Sequence, residues 1–265
     1  MRQPTIFLPH GAGPCFFMEW TMGPRDSWDK LAAWLRSIEA SLPAPPRALL
    51  VISAHWETTA PTVLASPAPP LYFDYSGFPP HTYELEWKAP GSPVLAKRVQ
   101  ELLSAAGIAS STDATRGFDH GVFIPLKVAF PDAKFPTIQL SLQKGLDPAV
   151  HLAVGRALAP LRDEGVLIIG SGLSFHNMRA FQTGGGGPES KAFDDWLSTT
   201  VVKDQKGRDA ELGAWANAPS ARDSHPREEH LLPLMVAAGA AAEDRGEVVF
   251  RDIILGKTMS AVRFG

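Results

Sequence analysis

Residues 48–57 read ALLVISAHWE. The run Ala48–Ser53 carries no charge and is apolar on both of its alternating sets of positions. Such a run suits a strand covered on both faces, as in parallel sheets sandwiched by helices. Upstream, Trp28, Leu31, Leu35, Ile38 and Leu42 recur at helical spacing, with Asp26 or Ser27 placed to cap. Before them, Thr5–Leu8 is a short apolar run ending at Pro9-His10. Downstream, Ser92-Pro93 opens a helix bearing Val94, Leu95, Val99, Leu102 and Leu103. Thr137–Leu142 reads as a strand, and Asp147-Pro148 starts a helix running toward Leu161. Val166–Gly170 (VLIIG) is another strongly buried strand. Helical patterns follow at Ser190–Val202 and Pro226–Ala242, then strand-like segments at Val248–Ile254 and Met259–Phe264. This alternation predicts an α/β fold over residues 1–265. The expected form is one domain with a central, mostly parallel or mixed sheet flanked by helices. Two irregular stretches, Ser66–Ser92 and Gln182–Glu189, read as loops within it.

The bulk composition agrees with a packed globular chain: 265 residues, 45% hydrophobic and 20% charged. The net charge is −3 and no basic stripe occurs, which argues against nucleic acid and anionic membranes as partners. A single cysteine, Cys15, excludes an internal disulfide or a cysteine-based zinc knuckle and reads as a pocket or core residue. The start, MRQPTIFLPH, has no long apolar region, and no apolar run reaches the roughly 18 residues of a membrane span. The expectation is a cytoplasmic protein. Oligomeric state is not legible.

Position marks three histidines. His10 directly follows IFLP, His55 follows LLVIS by one residue, and His176 lies just beyond VLIIG in GSGLSFHN. The carboxyl ends of strands in open α/β sheets line the ligand crevice. Imidazoles distant in the chain are therefore expected at one rim, where neutral imidazole is the commonest metal ligand. A nitrogen and oxygen donor set without thiolate suits Fe(II), Zn, Mn or Ni. His230 falls in the expected helix HPREEHLLPLM beside Glu228 and Glu229, and His120 in a glycine-flanked turn, RGFDHGVF. His81, His151 and His225 have no such placement and read as surface or hydrogen-bonded residues.

Six blocks carry a family resemblance: FLPHGAGP (7–14), VISAHWE (51–57), GFDHGVFIPL (117–126), PTIQLSL (136–142), GSGLSFHN (170–177) and EEHLLPL (228–234). In this order the chain resembles the class III, LigB-like extradiol ring-cleavage dioxygenases of the type that opens 4,5-DOPA-like catechols. The resemblance implies that His10, His55, His176 and His230 belong to a metal site, with Fe(II) in the active form and Zn(II) as a bound or substituted ion. It implies a proton-transfer role for His120, and His176 as either a ligand or an acid/base. It also implies a catecholic substrate, DOPA- or caffeate-like, together with O₂. Relatives read HGSP or HGGGP where this chain has Ala12, which leaves the histidine intact. Related enzymes use two histidines and one carboxylate. If Glu229 and His230 shared a helix they would point about 100° apart, so His230 is the favoured ligand, with Glu229 or Glu228 as supporting or surface groups.

The aromatic stretch 71–87 (Tyr72, Phe73, Tyr75, Phe78, Tyr83, Trp87) reads either as a pocket wall for a flat ring or as a packed surface loop. Glycines 184–187 lack a following Lys-Ser/Thr and read as a connection rather than a phosphate cradle. A second function fits the same residues, a metal-dependent hydrolase; a third, a non-catalytic relative, would be expected to lack metal histidines, and the presence of all five matched histidines counts against it. A serine hydrolase does not fit, because GSGLSFH has no G-x-S-x-G elbow.

Overall fold

The computed structural model describes every residue from Met1 to Gly265. Its strands are β1 (Thr5–Pro9), β2 (Ala48–Thr58), β3 (Thr62–Leu64), β4 (Ser111–Asp113), β5 (Thr137–Gln143), β6 (Val166–Gly172), β7 (Gly246–Ile254) and β8 (Lys257–Phe264). They form one sheet in the order β4-β3-β5-β2-β6-β1-β8-β7. The central strands β5, β2, β6 and β1 are mutually parallel. β3 runs antiparallel to β5, and β8 antiparallel to β1 and β7. The sheet is thus mixed around a parallel centre. β3 and β4 have three residues each, too few for an apolar pattern to mark them.

Period-two alternation splits the core into two halves. Ile6, Leu8, Leu49, Val51, Leu167 and Ile169 join one cluster, and Phe7, Leu50, Ile52 and Ile168 the other. The helices are α1 (Asp29–Ser41), α2 (Pro93–Ala105), α3 (His120–Ala129), α4 (Pro148–Leu158), α5 (Pro160–Asp163), α6 (Met178–Thr183), α7 (Gly187–Val201), α8 (Gln205–Gly213), α9 (Ala221–Ser224) and α10 (Leu232–Ala241). α1 and α3 cover the first half of the core, while α2, α4, α7 and α10 cover the second. No helix is long and apolar enough to cross a membrane.

The Ser92 and Asp147 caps form as expected, accepting from the backbone N–H of Leu95 and Ala149. Three helix limits differ from expectation. α1 begins at Asp29 behind Trp28 with no side-chain cap. Asp26 and Ser27 are engaged in the preceding turn, the Asp26 carbonyl by Asp29 N–H and Ser27 Oγ by the Pro24 carbonyl. α4 stops at Leu158 because Pro160 has no N–H to continue the ladder. The helix expected from Pro226 begins only at Leu232. Pro233 stands in the first turn of that helix, where its missing N–H costs nothing, and residues 226–231 form turns before it.

Candidate metal centre

Local backbone devices bring five histidines together. His10 leaves the end of β1 and ties to β6 through its N–H on the Gly172 carbonyl (3.2 Å). His55 lies inside β2 rather than past it, because the strand continues to Thr58. Pairing with β5 slips between Ile52 and Glu57, and this bulge re-aims the residues between them. His176 follows β6 by four residues and is pinned by its N–H on the Ser224 carbonyl (2.9 Å). His230 sits in the turn before α10, not on a helix, and its carbonyl accepts from Leu173 N–H (3.0 Å). A Cβ on Gly172 would lie 2.1 Å from that carbonyl oxygen, so only glycine lets this turn cross β6. His120 is the first residue of α3 rather than part of a loop.

Ligand nitrogens of His10, His55 and His230 lie within 4.8 Å of one another. Two nitrogens held about 2.0–2.1 Å from one ion can be no more than about 4 Å apart. Nε2 of His10 and of His55 are 3.2 Å apart. His176 stacks on His230 with ring centroids 3.4 Å apart, and His120 lies 3.9 Å from the His55 ring.

The outer nitrogens are tied. His10 Nδ1 meets the Gly11 carbonyl at 3.0 Å. Glu229 Oε1 lies 3.0 Å from His230 Nδ1 and 3.1 Å from His176 Nδ1. An acceptor at Nδ1 keeps the proton there and leaves Nε2 as a lone pair, the tautomer a metal needs. Burial, then the neighbouring imidazoles, hold His10 and His230 well below the usual histidine range. Burial first, then His120, pushes His55 down to about 3. These rings stay neutral at pH 7 and keep their lone pairs, so the donor set fits a divalent cation. Burial would raise Glu229, but the hydrogen bond from His176, a backbone hydrogen bond and the charges of His176 and Arg227 together hold the carboxyl below its ordinary value.

Two carboxylates that the sequence reading did not single out support the site. Asp74, the lone acid of the aromatic stretch, accepts from both the N–H (2.9 Å) and Nδ1 (2.8 Å) of His120. Burial pushes Asp74 up, yet hydrogen bonding and the charge of His120 hold it below its ordinary value. Asp119 is fully buried and accepts from Ser53 Oγ (2.7 Å), Arg116 Nη2 (3.1 Å) and Gln139 Nε2. Ser53 and Arg116 in turn hold the N–H and carbonyl of His55. Burial, and then the charge of Asp74, raises Asp119.

All five histidines line one cavity of about 790 Å³. From the aromatic stretch, Tyr75 and Phe78 line it. Phe73 instead packs on Phe123, Tyr72 lies under the Arg116 guanidinium, and Trp87 Nε1 donates to the Phe130 carbonyl. Tyr75 and Phe78 thus stand in a cavity wall, while Phe73, Tyr72 and Trp87 belong to a packed loop. Cys15 is buried in the core. Gly184 and Gly186, both at positive φ, form the turn between α6 and α7. Glu228 pairs with Arg222 (2.6 Å) instead of facing the histidines. His81 reaches the Phe17 carbonyl, His151 accepts from Gln143 N–H, and His225 meets the Ser174 carbonyl.

Fold and site together describe an α/β protein with a histidine-rich potential metal centre opening into an aromatic-walled cavity. Over residues 4–263 the sequence matches the family described as the catalytic LigB subunit of aromatic ring-opening dioxygenase. The chain belongs to that family and is an extradiol dioxygenase. It is 41% identical over 244 residues to a Beta vulgaris protein named 4,5-DOPA dioxygenase extradiol, covering 91% of this chain and 87% of that one. It is 36% identical over 242 residues to an Escherichia coli (strain K12) protein of the same name, covering 90% and 85%. The crystal structure of an uncharacterized Escherichia coli K12 protein superposes with a TM-score of 0.78 at 30% identity, covering 100% of both chains.

Proposed function

We propose that residues 1–265 act as one catalytic domain that opens the ring of a catechol, DOPA- or caffeate-like, beside its paired hydroxyls with incorporation of O₂. His10, His55 and His230 would hold the metal, Fe(II) in the active form. When bound, Fe(II) supplies Lewis acidity and one-electron chemistry that closed-shell side chains lack. Zn(II) fits the same nitrogens and would occupy them without redox activity. The names of the relatives favour DOPA as the first substrate to try.

The remaining imidazoles handle protons. With Asp74 accepting at Nδ1, His120 presents Nε2 as a base for a catechol hydroxyl in the cavity. Glu229 does the same for His176, which stands beside the His10, His55 and His230 group. One can take the hydroxyl proton while the other returns one to the opening ring. Tyr75 and Phe78 offer faces for a flat ring and restrict water. A ferrous ion and the unpaired thiol of Cys15 both suit a reducing compartment such as the cytoplasm.

The observation that carries this reading is the convergence of three neutral imidazoles, with two further imidazoles in the same cavity. The test is to load the protein with Fe(II) under nitrogen, add DOPA or caffeate, then admit O₂. Oxygen uptake with a new yellow absorbance is expected. No uptake with any catechol, alongside ester or amide cleavage by the Zn(II) form, would make the protein a hydrolase.

A further inference from the structure

Lys257 opens β8 and lines the same cavity as the histidines. It is the only lysine or arginine to do so, and no aspartate or glutamate lines the cavity. The residue is 2% exposed, an uncommon state for a lysine. Its Nζ makes one hydrogen bond, 2.9 Å to the Leu255 carbonyl, and lies 5.0 Å from the centre of the Phe181 ring. It belongs to none of the ion pairs of the fold, although an ammonium has three N–H groups to satisfy. Burial alone pulls it below the usual lysine range, with no carboxylate pulling the other way. A covered cation without an anion is costly and is kept at an interior position only when something pairs with it.

We propose that Lys257 is a specificity-determining residue that recognises an anionic group, a carboxylate, on the aromatic substrate. The inference rests on the reading of this cavity as the substrate site and narrows it to ring compounds bearing an acid. The ring lies among the histidines, Tyr75 and Phe78, and the carboxylate fills the unused N–H groups of Lys257. Trp20 strengthens the case, because it also lines the cavity and its buried Nε1 has no acceptor. A charge-assisted hydrogen bond in such a place is worth roughly a 10- to 100-fold preference for the acid.

The experiment titrates the full chain under nitrogen with 3-phenylpropanoate and with its neutral amide, following tryptophan fluorescence, to which the cavity-lining Trp20 and Trp28 contribute. The wild type is expected to bind the acid at least about tenfold more tightly than the amide. Lys257→Met, which keeps the unbranched apolar stem but removes the ammonium, is expected to erase that preference. Equal affinities in the wild type, no binding of the acid, or a preference that survives Lys257→Met would each overturn the proposal. A melting curve shows whether Lys257→Met folds. If it does not, Lys257→Gln takes its place, and the wild-type ratio remains decisive. The binding measurement needs no turnover. A wild type that prefers the acid but consumes no O₂ with any catechol would unseat ring opening and leave the anion site standing. Ring opening without acid preference would unseat only the role of Lys257.

Discussion

Glu229 uses one carboxylate oxygen to orient two imidazoles, since Oε1 meets Nδ1 of both His176 and His230. A helix would have sent Glu229 and His230 apart, but both lie in the turn before α10, which starts at Leu232 with Pro233 in its first turn. Outer partners of ligating histidines commonly govern metal affinity by a factor of about 10–100. Glu229→Gln removes the charge and half of the acceptor capacity. Its metal affinity, measured by competition with a chromophoric chelator, is expected to fall by about that factor with the fold intact. Affinity equal to wild type would make Glu229 a bystander. His120 has a parallel arrangement in Asp74, 46 residues away in the chain, which no local spacing could reveal.

At the scale of elements, close approach sets the site. The turn carrying His230 crosses β6 at Gly172, where an alanine Cβ would sit 2.1 Å from a backbone oxygen. That contact cannot be relieved by rotating a side chain. Gly172→Ala is expected to cost about 1–3 kcal/mol or more as an overpacked substitution. Metal affinity should fall with it, because β6 and the His230 turn must separate. Thermal melting together with chelator competition checks both, and a variant with unchanged melting temperature and affinity would refute the close-approach argument. The β2 bulge acts in the same way on His55. The strand was legible as ALLVIS, but the slip against β5 beside His55, and the bonds of Ser53 and Gln139 to Asp119 ahead of α3, appear only in three dimensions.

Across the whole molecule, buried neutral histidines couple folding to pH. Burial pushes both His55 and His225 down to about 3. Below about pH 6.5 the unfolded chain takes up protons at these positions while the native state does not. Their contribution is therefore full above that value and is lost as pH falls toward about 3. The loss is about 1.4 kcal/mol per pH unit for each group. Chelator-treated protein is expected to melt several degrees lower at pH 5.5 than at pH 7.5. A melting temperature that is flat over this range, or rises as pH falls, would contradict the buried neutral assignment.

Sequence alone determined what depends on neighbours along the chain. Apolar runs marked the central strands, Ser92 and Asp147 marked two helix starts, and strand-end positions gathered histidines at one rim. These signals are local, because hydrophobic burial and capping act on adjacent residues. The pairing of Asp74 with His120, the double use of Glu229, the bulge at His55 and the burial of Lys257 in the cavity were decided only by the tertiary structure. Each joins groups far apart in sequence or depends on how closely two backbones pass, and a linear pattern encodes neither.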